Sequence, residues 1–185
     1  MSKITPEQAN KLLMKLGYGC FNSGIKIIRS AFRLKPKVYT RSQIRNLLQS
    51  YGLKSVSLSD EKYYVTSWDV VGKIIDYDLI DEMIYRYDTR DCDNYSFAFA
   101  SRASVLYNLN SFGVCYGRIY SKKTGKLLGR HAFNLIITED NGILHPRLYE
   151  AQNDGDCLLR KKTGNYNPKN LIKDWFYDID WVIFF

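Results

Sequence analysis

The sequence predicts an α+β fold, with helices first and an antiparallel sheet last, and three observations carry that prediction. Apolar residues recur at helical spacing in four segments of the first half of the chain. A further helix-compatible run, Tyr95 to Tyr107, follows Asp91-Cys92-Asp93-Asn94. From Gly113 onward the texture changes to strand-like segments separated by turns, and Asn141-Gly142 is the strongest hairpin signal in the chain.

Thr5-Pro6-Glu7-Gln8 opens the first helix, with Thr at the N-cap and Pro at the first helical position, and Ala9, Leu12, Leu13 and Leu16 form its apolar face. A second helix runs from Ser23 to Leu34 on Ile25, Ile28 and Phe32, and Pro36 stops it. Thr40-Arg41-Ser42-Gln43 is a capping-box pattern ahead of Ile44, Leu47, Leu48 and Tyr51. These helices predict an N-terminal helical subdomain or cap over residues 1–58, followed by a catalytic domain over 59–185. Residues 55–64 read as loop with a short extended piece. Thr66-Ser67-Trp68-Asp69 then starts a helix carried by Val70, Val71, Ile74 and Ile75. Strands are expected over Val114–Tyr120, His131–Thr138 and Ile143–Gln152, the last with an edge position or a bulge at Pro146. Residues 153–170 read as loop, Leu171–Trp175 as a turn of helix, and Asp178–Phe185 as a final strand.

With 185 residues, 45% hydrophobic and 15% aromatic, the chain has enough apolar material for one packed domain, or one domain with a small appendage. A net charge of +8 permits binding to nucleic acid or another anionic surface, but the basic residues are scattered, which favours a solvated basic surface. Nucleic-acid binding by the basic N-terminal helices is therefore an alternative rather than the favoured reading. The turn Lys35–Tyr39 is also longer than that of a helix-turn-helix. No apolar run reaches membrane-spanning length, so no membrane partner is expected. Met1-Ser2-Lys3-Ile4 does not read as a signal peptide, and four cysteines without a CxxC pair suggest free thiols in a reducing, cytoplasmic setting. Their spacing does not suggest zinc.

The chemistry converges on Cys92. Asp91 or Asp93 can cap the helix that follows, which places the thiol at a helix N-terminus, where unpaired N–H groups favour an anion. A thiolate nucleophile needs a base and an orienting carboxylate. With the hairpin centred on Asn141-Gly142, His131 lies opposite roughly residue 152, and Glu150 is its cross-strand or diagonal neighbour. A histidine on an apolar face is most often a core residue, but here a carboxylate stands across the hairpin. Only a partner justifies an acid flanked by Leu148 and Tyr149. Asn153 is the second candidate for orienting His131. Cys20, Cys115, Cys157 and His145 read as structural.

A helix-terminal Cys92 in Cys92-Asp93-Asn94, then His131, then Glu150, resembles the papain-like and transglutaminase-like cysteine proteases. It is similar above all to the protease domain of the Marasmius oreades agglutinin type, over roughly Tyr63 to Asn153. The resemblance implies a papain-like core with the nucleophile helix on an antiparallel sheet. The expected function is a cysteine hydrolase, a peptidase cleaving amide bonds of a protein or peptide substrate. Cys92 would attack, His131 would carry the proton and Glu150 would hold the imidazole. A transglutaminase or an amidase would use the same three residues. No cofactor is required, although the resemblance raises calcium, for which Asp88, Asp91 and Asp93 are the candidate ligands and helix capping is the simpler use. The chain departs from papain in having no Gln between Asp60 and Cys92.

Overall fold

Thr40 caps a helix as its sequence predicts. Its hydroxyl accepts from the Gln43 N–H at 3.3 Å, and Gln43 Oε1 accepts from the Thr40 N–H at 2.8 Å. In this computed structural model, which describes residues 34–78, 80–87, 89, 91–159 and 175–185, that helix is α1 (Arg41–Ser50). The helices expected over residues 5–16 and 23–34 lie outside the described residues, as do Cys20, Asp88 and most of the turn expected at 171–175. The chain divides into Met1–Leu34 and Lys35–Phe185, and the boundary expected at 58/59 falls inside the second unit.

Within that unit, four strands form where the sequence read as turn, as loop, or as loop with a short extended piece: β1 (Lys37–Thr40), β2 (Val56–Leu58), β3 (Lys62–Val65) and β7 (Gly155–Leu158). Each is short, and its pairing is made by residues distant in the chain, which local propensity does not report. β1 pairs antiparallel with β3. β4 (Phe112–Ser121), β5 (Leu127–Asp140), β6 (Ile143–Glu150) and β8 (Trp175–Phe184) join β2 and β7 in one sheet of order β2-β8-β4-β5-β6-β7. All its pairs are antiparallel except β2 with β8. The expected architecture, a papain-like helix-on-sheet core behind a helical subdomain, is corrected here. Among the described residues eight strands accompany three helices, the others being α2 (Trp68–Asp76) and α3 (Cys92–Tyr107).

The sheet carries a packed layer on each face. On one, Ile44 and Leu48 of α1 and Tyr63 and Val65 of β3 close over Cys115, Phe133, Leu135, Ile137, Leu148 and Tyr177. On the other lies α3. Its buried residues Tyr95, Ser96, Phe99, Ala100, Ala103 and Tyr107 follow helical spacing, and the small ones let the helix approach the strands. Phe99 meets Tyr149 at 4.5 Å and Phe112 at 5.4 Å between ring centroids. Asn108, left-handed at φ 59°, ends α3, and Leu109 N–H returns to the Ala103 carbonyl at 3.2 Å.

The hairpin turns on Asn141 and Gly142, both at positive φ, and its register is the expected one, with Asn134 facing Tyr149. Pro146 is neither at an edge nor at a bulge, because β6 lies between β5 and β7. Its carbonyl accepts from Leu159 N–H, just past the end of β7, so the donor it lacks points where the ladder has finished.

Candidate functional site

Cys92 is the first residue of α3. Asn94 Oδ1 accepts from the Asp91 N–H at 3.1 Å, so Asp91 and Asn94 fasten the helix start at the thiol. The β5–β6 ladder ends at Asn134 and Tyr149. Beyond that point the Ala132 N–H has no β6 partner, and it donates to Cys92 Sγ at 3.4 Å. One residue earlier, His131 Nε2 meets Glu150 Oε2 at 2.6 Å across the hairpin. Both side chains are buried, His131 at 7% exposure and Glu150 at 1%. Cys92 is partly exposed. The three residues singled out in the sequence are thus gathered at one point, with the thiol on the solvent side and the carboxylate innermost.

Burial draws the His131 imidazolium down, but hydrogen bonds to Cys92 and Glu150, and the charges of both, outweigh it and raise His131 to about 9. The ring is therefore held as a cation near neutrality. Its surroundings are aromatic: Phe133 stacks at 6.0 Å, Trp175 stands edge-on at 5.8 Å, and Tyr177 is tilted at 6.0 Å. The Tyr177 hydroxyl also reaches Glu150 Oε2 at 3.4 Å. Such a site can hold an imidazolium beside a sulfur, and the helix N-terminus favours negative charge on that sulfur.

The other candidates lie elsewhere. Asn153 does not orient His131: its Oδ1 accepts from Gly155 N–H within the β6–β7 turn. Asp93 lies in the first turn of α3. Among the described residues, no group of three or more His, Cys, Asp or Glu side chains is placed to hold a metal ion, and Asp88 is outside them. Cys115 is fully buried, and burial pushes its thiol well up. His145 is half-buried on β6. The N–H of Ala132 and the rings of Trp175 and Tyr177 were not singled out in the sequence. Alternation along Trp175, Tyr177 and Ile179 was the signal available for the last two.

An aromatic cleft of about 420 Å³ is lined by Phe97, Tyr116, Gly117, Arg130, Asp180 and Trp181. It adjoins the thiol, since Tyr116 pairs with Ala132 and Gly117 with His131 across β4 and β5. Burial raises the Tyr116 phenol, and the charges of Asp93, Cys92 and Asp91 add to that.

No family model matches the chain, and no curated protein matches it. Solved structures do. One is described as a "PSL1a-E64 complex", with 20% identity, a TM-score of 0.52, and coverage of 80% of this chain and 50% of that one. Another is Polyporus squamosus lectin bound to the human-type influenza-binding epitope Neu5Aca2-6Galb1-4GlcNAc, with 20% identity, a TM-score of 0.50, and coverage of 80% and 49%. The chain spans about half the length of these proteins, and at this identity the likeness is one of fold. The expected kinship with papain-like and agglutinin-type proteases is corrected accordingly: the structures matched are the PSL1a-E64 complex and the Polyporus squamosus lectin. The expected cysteine peptidase, the transglutaminase and amidase alternatives, and a protein or peptide substrate give way with it. The nucleic-acid alternative finds no support in the comparisons, and two of the three N-terminal helices it rested on lie outside the described residues. Among the described residues no helix is long and apolar enough to cross a membrane. Four-fifths of the chain is similar in fold to about half of the Polyporus squamosus lectin chain.

Proposed function

We propose that the described domain binds a ligand at a reactive-thiol centre, in which Cys92, beside the His131 imidazolium, captures an electrophilic carbon through the thiolate form of its side chain. The observation that carries this reading is the buried 2.6 Å contact between His131 and Glu150, with the Cys92 sulfur on the outer side of the same imidazole. Glu150 fixes the ring and its charge, and the Ala132 N–H supports the sulfur. In this arrangement the sulfur forms one bond to carbon, and the leaving group departs with the electron pair of the bond it breaks.

Iodoacetamide labelling with peptide mapping tests the reading. Cys92 should label faster than Cys115, and His131→Gln should lower the Cys92 rate at pH 7 by on the order of tenfold. A Cys92 rate no faster than that of Cys115, or one unaffected by His131→Gln, would refute it.

A glycan ligand is a second reading. It is favoured by the epitope named for the matched lectin and by exposed aromatic rings beside the thiol. Titration of the chain with that trisaccharide, followed by tryptophan fluorescence, is its test. An unchanged spectrum at millimolar glycan would remove it.

A further inference from the structure

We propose that the cleft floored by Phe97, Tyr116 and Trp181 is a specificity subsite, which receives a flat aromatic arm of the ligand whose electrophilic carbon meets Cys92. The inference rests on the reactive-thiol reading and names the class of ligand. Four aromatic rings form a continuous ladder from Phe185 to Phe97 at 5.7 Å, to Tyr116 at 6.4 Å and to Trp181 at 5.5 Å. Despite these contacts Trp181 is 38% exposed and Phe97 37%, so the ladder keeps ring surface open to a further ring.

A local irregularity builds this surface. The β4–β8 register shifts between Tyr116 and Gly117: Tyr116 faces Trp181 and Gly117 faces Ile179, which leaves Asp180 as the extra residue. A bulge of this kind re-aims side chains, and here it accompanies the stacking of Trp181 on Tyr116 at the rim of the cleft. Gly117 is required there, since a Cβ would stand 2.0 Å from the Asp178 carbonyl oxygen.

Cleft size and polarity decide the occupant. About 420 Å³ accepts one ring and a short linker. Asp180 is held by Arg118 at 2.9 Å, which leaves Arg130 as the main polar side chain at the rim. One guanidinium can orient a carbonyl on the linker. The open ring faces of Phe97 and Trp181 match a flat aromatic ring more closely than the hydroxyl-bearing edge of a sugar, whose binding is an outcome of the test below.

The test uses the full chain in two arms. In the first, Cys92 labelling by N-benzyl-iodoacetamide is compared with labelling by iodoacetamide. The benzyl reagent should be faster by on the order of tenfold, and Trp181→Ala should bring the ratio close to one. In the second, Cys92→Ser protein is titrated with N-benzylacetamide while indole N–H resonances are followed by NMR. The resonance that is missing in Trp181→Ala should shift saturably, and acetamide alone should leave it in place. A benzyl-to-plain ratio near one in the unmodified chain, or an unmoved Trp181 resonance, would overturn the subsite. A shift of that resonance by N-acetyllactosamine and not by N-benzylacetamide would overturn it too. Slow iodoacetamide labelling with an intact Trp181 shift would instead count against the reactive thiol and leave the subsite standing.

Discussion

His131 carries more of the chemistry than any other residue because two opposite influences meet on it. Burial opposes its charge, while Cys92 and Glu150 favour it, and the balance stands at about 9. Glu150→Gln removes the inner charge but keeps a hydrogen-bonding side chain of the same shape. The fold should persist, and the pH at which His131 loses its proton, read by NMR of the ring, should fall by on the order of one unit or more. An unchanged titration would mean that Glu150 does not govern the imidazole. The pairing itself was legible in the sequence, because a hairpin centred on Asn141-Gly142 fixes which side chains share a face. What holds the sulfur was not legible. The Ala132 N–H is a backbone group freed by the end of a ladder, and no residue type marks where a ladder ends. Asp78 shows the same limit. It is 3% exposed, burial raises it to about 6, and one carboxylate oxygen has no hydrogen-bond partner among the described residues. In the sequence it is one acid in an acidic stretch. Asp78→Asn should raise stability above pH 6, by on the order of 1–3 kcal/mol in urea denaturation, because the neutral side chain avoids burying charge.

Among the elements, α3 and the β5–β6 hairpin were the most legible, since each carries its own signal. One has a cap followed by small and apolar residues at helical spacing, and the other a turn that demands positive φ. The last strand and its neighbours were less so. β8 pairs antiparallel with β4 and parallel with β2, and both partners come from far earlier in the chain. β7 and β1 are four residues each, too short to show an alternation. The junction of β4 with β8 is also where a single atom matters most. Gly117→Ala places a methyl group against the Asp178 carbonyl, backbone meeting backbone, and no side-chain rotation relieves it. The variant should lose about 2–4 kcal/mol of stability and the Tyr116–Trp181 stack with it. Gly142→Ala, in open space but at φ 83°, should cost about 1 kcal/mol, from backbone conformation alone. Equal losses for the two variants in thermal denaturation would contradict this account.

At the scale of the molecule, the two perturbed groups shape how stability depends on pH, and both act in the same direction. Asp78 sits on the carboxyl side of neutrality. Its pKa is raised on folding, so the native state binds its proton more tightly than the unfolded chain. Stability from this group is complete below about pH 4 and is lost as pH rises through about 6. His131 is also raised on folding, from 6.5 to about 9. Its contribution is complete below pH 6.5 and is lost as pH rises through about 9. The two windows adjoin, so the unmodified chain should lose stability in two successive steps between about pH 4 and pH 9. Each step should be on the order of 2–3 kcal/mol. Removing one group should erase one step and leave the other: Asp78→Asn flattens the acid step, and Glu150→Gln, by lowering His131, flattens the alkaline one. The two groups belong to different clusters, Asp78 with Asp81, Arg102 and Asp154, and His131 with Cys92 and Glu150, so the double variant should combine both effects nearly additively. Urea denaturation midpoints at half-unit pH intervals would read this directly. A single step common to all four proteins would show that neither group sets the profile. Loss of the alkaline step in Asp78→Asn would show that the two clusters are coupled through the sheet between them.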